Sequence, residues 1–512
     1  MRSTDLPAAA LIGLALLAQA CGPRPNTTGG TGRGVLVIVV DALRADHVSH
    51  LGYDRKTTPY LDALAAGGTS FASAYTPSPE ALASHAAILS GCDPMLSRRI
   101  PIDAPSRGTA ATDWYLPDEL PRLPRAFLAQ GYATAAFVDH PAISPVCGFG
   151  AGFQRFSGYQ TTSEGDEGER GFGGVSARFL NWLAGLGRSE DWFAYVQFDD
   201  LERLWLRPDQ KWDTFFEPRP ELSAVPPIAE DERVYFALPR GRWDGGSRSI
   251  GQLEARYDGA LCNLDQNLGH LFEKLRRSGR WDATTVVVVG SHGVGLGESG
   301  VIAETGTFSD CDLRVPWIVR PGSGLAGVAV AEFPGRRMSR LASLVDLAPT
   351  LLDLHGVAGG KSMGGVSLAG LFRGESDGGG GPVFAAGGLQ SGFAAIDERF
   401  CYEESSPGGL EQEAVSPLSR SWYGDDLDHR GDVRQFLHDR STERIVAGHL
   451  GRTAQDAQAR ARLSQAGREH YGWIEKARAV LQAGPGERET FDPALLAELE
   501  KRGLLGEGLD AP

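Results

Sequence analysis

"GVLVIVVDALRADH", residues 34–47, opens with apolar residues from Val35 to Val40 and then stops at an acidic one, Asp41. Such a run leaves no polar face for water, so it reads as a strand buried on both sides of a parallel sheet covered by helices. An aspartate at the end of that strand stands where sheets of this kind place their chemistry, in the crevice beyond the strands' carboxyl ends. The rest of the chain repeats the pattern. Residues 133–138, 192–198, 284–289 and 316–320 read as further strands. Between two of them Leu253, Tyr257, Leu261, Leu264, Leu268, Leu271 and Leu275 recur at spacings of three and four, the period of one long amphipathic helix. Thr58 and Pro59 start a shorter helix that ends at Gly67 and Gly68, and residues 343–356 form another. Alternating strands and helices predict an α/β fold with a central, largely parallel sheet flanked by helices.

Composition agrees and narrows the function. The chain has 512 residues, 42% hydrophobic and 22% charged, enough for a large core and a second, smaller unit. Its formal charge of −15 repels an extended polyanion, so nucleic-acid binding is disfavoured. The glycine run 378–381 marks a boundary: residues 34–375 form the main domain and 376–382 a Gly-rich linker. Residues 383–445 then form a smaller C-terminal α+β subdomain with an antiparallel hairpin, and 446–512 a charged helical tail.

The N-terminus reads as an export signal. Residues 1–21 contain Arg2 and an apolar run from Leu6 to Ala20, too short to span a bilayer, and "AQAC" at 18–21 resembles the lipobox of bacterial lipoproteins. That resemblance implies acylation of Cys21, with residues 22–33 as a flexible tether and the cell envelope as the location. The five remaining cysteines, Cys92, Cys147, Cys262, Cys311 and Cys401, show no CxxC spacing, so at least one thiol stays unpaired and no zinc site is expected.

The motif order carries a family resemblance over about residues 34–375. The stretches running from "VLVIVVDALRADH" to "SPEALASHAAILSG", then "YDGALCNLDQNLGHLFEKL", "GSHGVGLGESG", "LRVPWIVRPG" and "SLVDLAPTLLDLHGV", resemble a sulfatase of the alkaline phosphatase superfamily. That resemblance implies hydrolysis of sulfate esters by a calcium ion and a formylglycine nucleophile. It also implies which positions should carry the chemistry, and here many are replaced. Ser84 and His85 match the "SH" of the family's "PSHA" variant, which puts Ala81, a methyl group, at the nucleophile and excludes formylglycine there. Of the metal ligands Asp41 and His292 remain, while Ala42 and Ser291 stand at ligand positions that have lost their carboxylates. Gln197, Glu202 and Glu304 occupy places where the family's substrate contacts are histidine or lysine, and "MLSRR" replaces "HxHG" after residue 94. The expected calcium site is therefore degenerate.

Two readings from different classes follow. One is an inactive or repurposed sulfatase scaffold, anchored in the envelope by lipid, that binds an envelope protein or glycan. The other is an active sulfate- or phosphate-ester hydrolase with a rearranged metal site built on Asp41, His85 and His292 with Asp199 and Asp200. Asp310 and Asp312 are the acids that a register shift would bring to such a metal. A phosphoethanolamine-type transferase would need a hydroxyl at position 81 and several membrane helices.

Overall fold

The computed structural model describes residues 31–99, 114–158, 171–201, 211–219, 249–297, 306–323, 325, 335–375, 380–387, 392–405, 434–440, 444–445, 454–483, 485–488, 490–502 and 504–505. The opening strand is β1 (Gly34–Val40), every residue of it buried. It pairs in parallel with β5 (Trp192–Phe198) on one side and β6 (Thr284–Gly290) on the other. Outward from β5 lie β3 (Ala133–Phe137) and β4 (Arg155–Ser157), and outward from β6 lie β7 (Arg314–Arg320), β2 (Thr69–Tyr75) and β8 (Arg336–Ser343). In this eight-stranded sheet only β7 runs against its neighbours. β2 and β8 were not visible from periodicity, because Ser and Arg interrupt their apolar alternation.

Alternate residues of β1 serve opposite layers, as a period of two requires. Val35, Val37 and Val39 pack toward α2 (Ala81–Ser90), α3 (Leu123–Ala129) and α6 (Leu347–Leu354). Leu36, Ile38 and Val40 pack toward α1 (Pro59–Ala66), α4 (Gly171–Gly185) and α5 (Ile250–Arg277). All seven periodic positions of α5 are buried, and Ser249 caps it by accepting from the Gln252 amide at 3.2 Å. The helix read over 343–356 is a 3-10 turn leading into α6, fixed by a capping box between Ser343 and Asp346.

Past the linker, β9 (Val383–Gly387), β10 (Gly392–Ile396), β11 (Phe400–Ser405), β12 (Arg434–Asp439) and β13 (Arg444–Ile445) form an antiparallel sheet. The helix α7 (Ala454–Gln482) joins the two units. Ala459 and Leu463 pack on the small sheet, while Ile474, Ala477, Val480 and Leu481 enter the main core. The last helix, α8 (Pro493–Lys501), is capped by Asp492, which accepts from Ala494 N at 2.9 Å. Gly503, expected to close it, lies outside the described residues. The five cysteines within the described residues are all free thiols.

Candidate functional site

The carboxyl ends of β1, β5 and β6 meet around Asp41, which is fully buried. Its backbone N–H donates to Phe198 O at 3.0 Å, and Ser291 N donates to Val40 O at 3.0 Å, so the sheet ladder holds the three strand ends together. The turn that follows is tight. Ala42 has φ of 58°, the left-handed region that a Cβ disfavours, and Tyr257 on α5 clamps it by donating to Ala42 O at 2.7 Å. Gly293 lies equally close to its neighbours: a Cβ there would sit 1.8 Å from Cys311 O.

Three protein donors converge on the Asp41 carboxylate. His85 Nε2 lies 2.8 Å from Oδ1, the Ser291 hydroxyl donates to the same oxygen, and Gln197 Nε2 donates to Oδ2 at 2.7 Å. Because a carboxylate only accepts, Nε2 of His85 carries a proton, and its Nδ1 faces the Tyr195 hydroxyl at 2.5 Å. Burial would raise the Asp41 pKa, but the charge and hydrogen bond of His85, with the charges of His292 and His140, hold it below the ordinary carboxylate range. Burial and the Asp41 charge push the Tyr195 hydroxyl well above its usual value, so it stays protonated. The result is a buried Asp–His–Tyr chain with Ser291 and Gln197 as further donors.

Gln197 also reaches outward. Its Oε1 accepts from Asp139 N at 2.8 Å and His140 N at 2.9 Å, tying the end of β3 to Asp41. His292 lies next in the chain to Ser291, with Nδ1 on Gly293 O at 2.7 Å. Asp312 lies beside the His292–Gly293 turn: its backbone carbonyl accepts from Gly293 N at 2.8 Å, its Oδ2 accepts from Thr307 N at 2.8 Å and Thr307 Oγ1 at 2.6 Å, and burial pushes its carboxyl up to about 6 against the hydrogen bonds of Thr307 and the charge of His292. Asp310 faces Tyr75, whose hydroxyl is 3.1 Å from it, and Arg440.

Ala81 is the first residue of α2. The two serines near it are engaged locally: the Ser84 hydroxyl donates to Ser78 O at 2.8 Å, and the Ser78 hydroxyl accepts from Glu80 N at 3.2 Å. Asp199 and Asp200, read as partners of Asp41, gather instead with Asp139, with one carboxylate oxygen of each within 4.8 Å of the others. Glu202, Glu304 and Cys21 lie outside the described residues. Arg98 and Arg99 pair with Tyr115 and Trp114 in a two-residue strand. Sequence reasoning missed Tyr195 and Asp139. Both carried a signal: Tyr195 is two residues before Gln197 on the same strand face, and Asp139 follows the carboxyl end of β3.

A helix-covered, mostly parallel sheet with a polar crevice at its carboxyl ends defines an α/β protein, and its structural neighbours have sulfatase and alkaline phosphatase-like folds. The particular family is given by sequence: the Sulfatase profile matches residues 33–357, more than half of the chain, and the protein belongs to the sulfatase family. A 2-O GAG sulfatase shares the fold at a TM-score of 0.61 and 17% identity, over 91% of this chain and 96% of that one. The phosphonate monoester hydrolase of Agrobacterium radiobacter does so at 0.60 and 17%, over 87% and 96%. Choline-sulfatase of Rhizobium meliloti is 25% identical over 33% of this chain, a match spanning 32% of its own length. A sulfatase of Formosa agariphila is 22% identical over 63% of this chain and 69% of its own.

Proposed function

We propose that this chain is a lipid-anchored sulfatase-family protein of the bacterial envelope whose crevice no longer hydrolyses esters and instead binds an envelope protein or glycan. The observation that carries the reading is the Asp41 carboxylate, whose two oxygens already accept from His85, Gln197 and Ser291. Calcium favours several oxygen ligands with negative charge. Here the surroundings of Asp41 supply a methyl at Ala42, a hydroxyl that is donating at Ser291 and an amide N–H₂ from Gln197, so this donor set does not fit calcium. A methyl at position 81 likewise has no lone pair with which to attack sulfur or phosphorus. The glycan arm of the proposal is supported by relatives named as GAG and N-acetylglucosamine-6-O sulfatases. The envelope location is supported by the lipobox-like "AQAC".

The test is calorimetric titration of the full chain with calcium, together with sulfate, phosphate and phosphonate ester assays. The expected result is no stoichiometric calcium binding, no turnover, and a melting temperature in EDTA within about a degree of that in calcium, since a ligand that does not bind cannot stabilise. Turnover that is lost both on chelation and in Asp41→Ala overturns the proposal. A second reading, an active hydrolase with a displaced metal, is favoured by the Asp139, Asp199 and Asp200 group. It requires turnover that survives Asp41→Ala and disappears in Asp199→Asn.

A further inference from the structure

The helical tail closes a cavity against the main domain. Its walls come from the turn after α2 and the end of β8, from residues 380–384 where the linker enters β9, and from α7 with the residue that follows α8. The volume is about 490 Å³, within the range of small-molecule sites, which favour junctions between structural units. Asp41, His85, Tyr195, Gln197 and Ser291 take no part in its lining, so it is separate from the crevice described above. The lining holds two carboxylates, Asp93 and Asp346, and two guanidiniums, Arg340 and Arg502. Asp93 accepts from Met95 N at 2.8 Å on Oδ1, and His470 Nε2 lies 3.0 Å from Oδ2. Asp346 accepts from Ser343 N at 3.0 Å and from Val366 N at 2.8 Å, one bond on each oxygen. Burial pushes Asp346 up to about 6 against those amides and the Arg340 charge, so it is still largely ionised at neutral pH. Arg502 donates from Nε to Glu498 Oε1 at 2.8 Å, and its guanidinium lies over the Trp473 ring at 4.3 Å. The Phe384 ring stacks on His470 at 4.2 Å.

We infer that this cavity binds a neutral saccharide. The inference goes beyond the function proposed above, because it adds a site outside the Asp41 crevice and names the chemistry of its ligand. Three features select that class. The first is charge: two acids balance two arginines, and Glu498 and His470 further engage Arg502 and Asp93, so the lining sets up no net field that would draw in an ion. The second is hydrogen bonding. Each oxygen of Asp93 and Asp346 that already accepts one bond keeps a second lone pair, while the terminal nitrogens of Arg502 have no hydrogen-bond partner among the described residues. A ligand that meets both must donate and accept, as a hydroxyl does and as neither a metal cation nor a simple anion can. A lipid chain does neither and would leave the charged side chains desolvated. The third is the apolar surface of Phe384 and Trp473, which suits the C–H face of a sugar ring.

The experiment is calorimetric titration of the full chain with glucose, galactose, mannose and N-acetylglucosamine, and with glucuronate, glucosamine and adenosine as charged and base-bearing alternatives. The expected result is saturable, one-to-one binding of at least one neutral sugar at millimolar concentration or below, tighter than that of glucuronate or glucosamine. Its affinity changes less than about twofold between low and high salt, because no ligand charge is screened. Arg502→Met removes the open donors, keeps the apolar stem and weakens binding at least about tenfold. Gly380→Leu reads the same site independently. A Cβ at Gly380 meets Arg340 Nε at 3.6 Å, an ordinary contact, so the fold accepts it while the larger side chain takes the ligand's space and abolishes binding. Arg277→Gln, outside the lining, leaves binding unchanged within about twofold. The inference is overturned by no saturable binding of any neutral sugar, by a preference for glucuronate that salt removes, or by binding of adenosine alone. Parental affinity in Arg502→Met or Gly380→Leu, each with the parent's melting temperature, overturns it as well. These titrations read neither ester turnover nor calcium binding, the two measurements that decide the proposed function, so failure here and failure there are distinguishable.

Discussion

Replacing Asp41 by alanine tests whether the carboxylate serves as a hydrogen-bond hub or as a metal ligand. In the hub, the substitution leaves three buried donors without an acceptor: His85 Nε2, Gln197 Nε2 and the Ser291 hydroxyl. Each orphaned donor costs on the order of 1–3 kcal/mol, and breaking a buried ion pair costs about 3–5. Because removing Asp41 also relieves its own desolvation, the net loss is set at about 3–5 kcal/mol. For a cooperative unit of roughly 300 residues the unfolding entropy turns this into a fall in melting temperature of about 5–8 °C. The assay is calorimetric unfolding of parent and variant in EDTA at neutral pH. A bare metal ligand behaves in the opposite way, since stripping the metal leaves an unpaired buried charge that alanine relieves. A variant as stable as the parent, or more stable, refutes the hub. Acid supplies a second readout. The Asp41 pKa is depressed in the fold, so its contribution is present above the unfolded value near 4 and is lost as pH falls toward the folded one. The gap between parent and variant therefore narrows on acidification below about pH 4.

The surroundings of the hub give further expectations. Ala42→Gly removes the Cβ from a residue at φ of 58° and raises stability by up to about 1 kcal/mol, measured by urea unfolding; a loss would mean that the turn is not strained. Gly293→Ala places a Cβ at 1.8 Å from Cys311 O and forces the backbone apart, costing about 3 kcal/mol or more; a melting temperature equal to the parent's would contradict that approach. Asp265, which accepts from Tyr60 N and Leu61 N at the start of α1, is pushed up to about 7 by burial, with those amides opposing and Asp62 adding to the rise. A raised carboxyl contributes stability below about pH 4 and loses it as pH rises toward 7, so Asp265→Asn gains relative to the parent over that window. A flat difference from pH 4 to 7 would show that Asp265 is ionised throughout.

The layers of the fold were readable because burial writes itself into periodicity. The unbroken run Val35–Val40 declares a strand covered on both faces, and the leucines of α5 declare a single stripe. β2 and β8 were not readable, since a strand lined with Ser, Ala and Arg takes its place from its partners in the sheet and has little pattern of its own. The site divides in the same way. Asp41, His85, Ser291 and Gln197 could be named from motif position and do converge, but what Gln197 does there could not be read, because its direction depends on pairing between β1 and β5. Asp199 and Asp200 follow the same strand as Gln197, yet they gather with Asp139 at the end of the adjacent β3, a neighbour that only the strand order supplies.

On the proposed reading, the substitutions around Asp41 form one coherent change in charge. Two carboxylates facing each other at the ends of β1 and β6 repel unless a cation sits between them. Serine at position 291 removes one of those charges and supplies a hydroxyl donor, while Gln197 brings an N–H₂ where a cation would otherwise meet Asp41. His85 then balances the remaining carboxylate at 2.8 Å, backed by the Tyr195 hydroxyl. Every group in this arrangement is buried, and each has found a protein partner, which is what a polar cluster needs to persist in a core. The Tyr257 hydroxyl, donating to the Ala42 carbonyl at 2.7 Å, holds the backbone of the left-handed turn beside Asp41 in place. Restoring a metal there would therefore require Ser291→Asp together with a smaller or apolar residue in place of Gln197, because its amide occupies the lone pairs that a cation must reach.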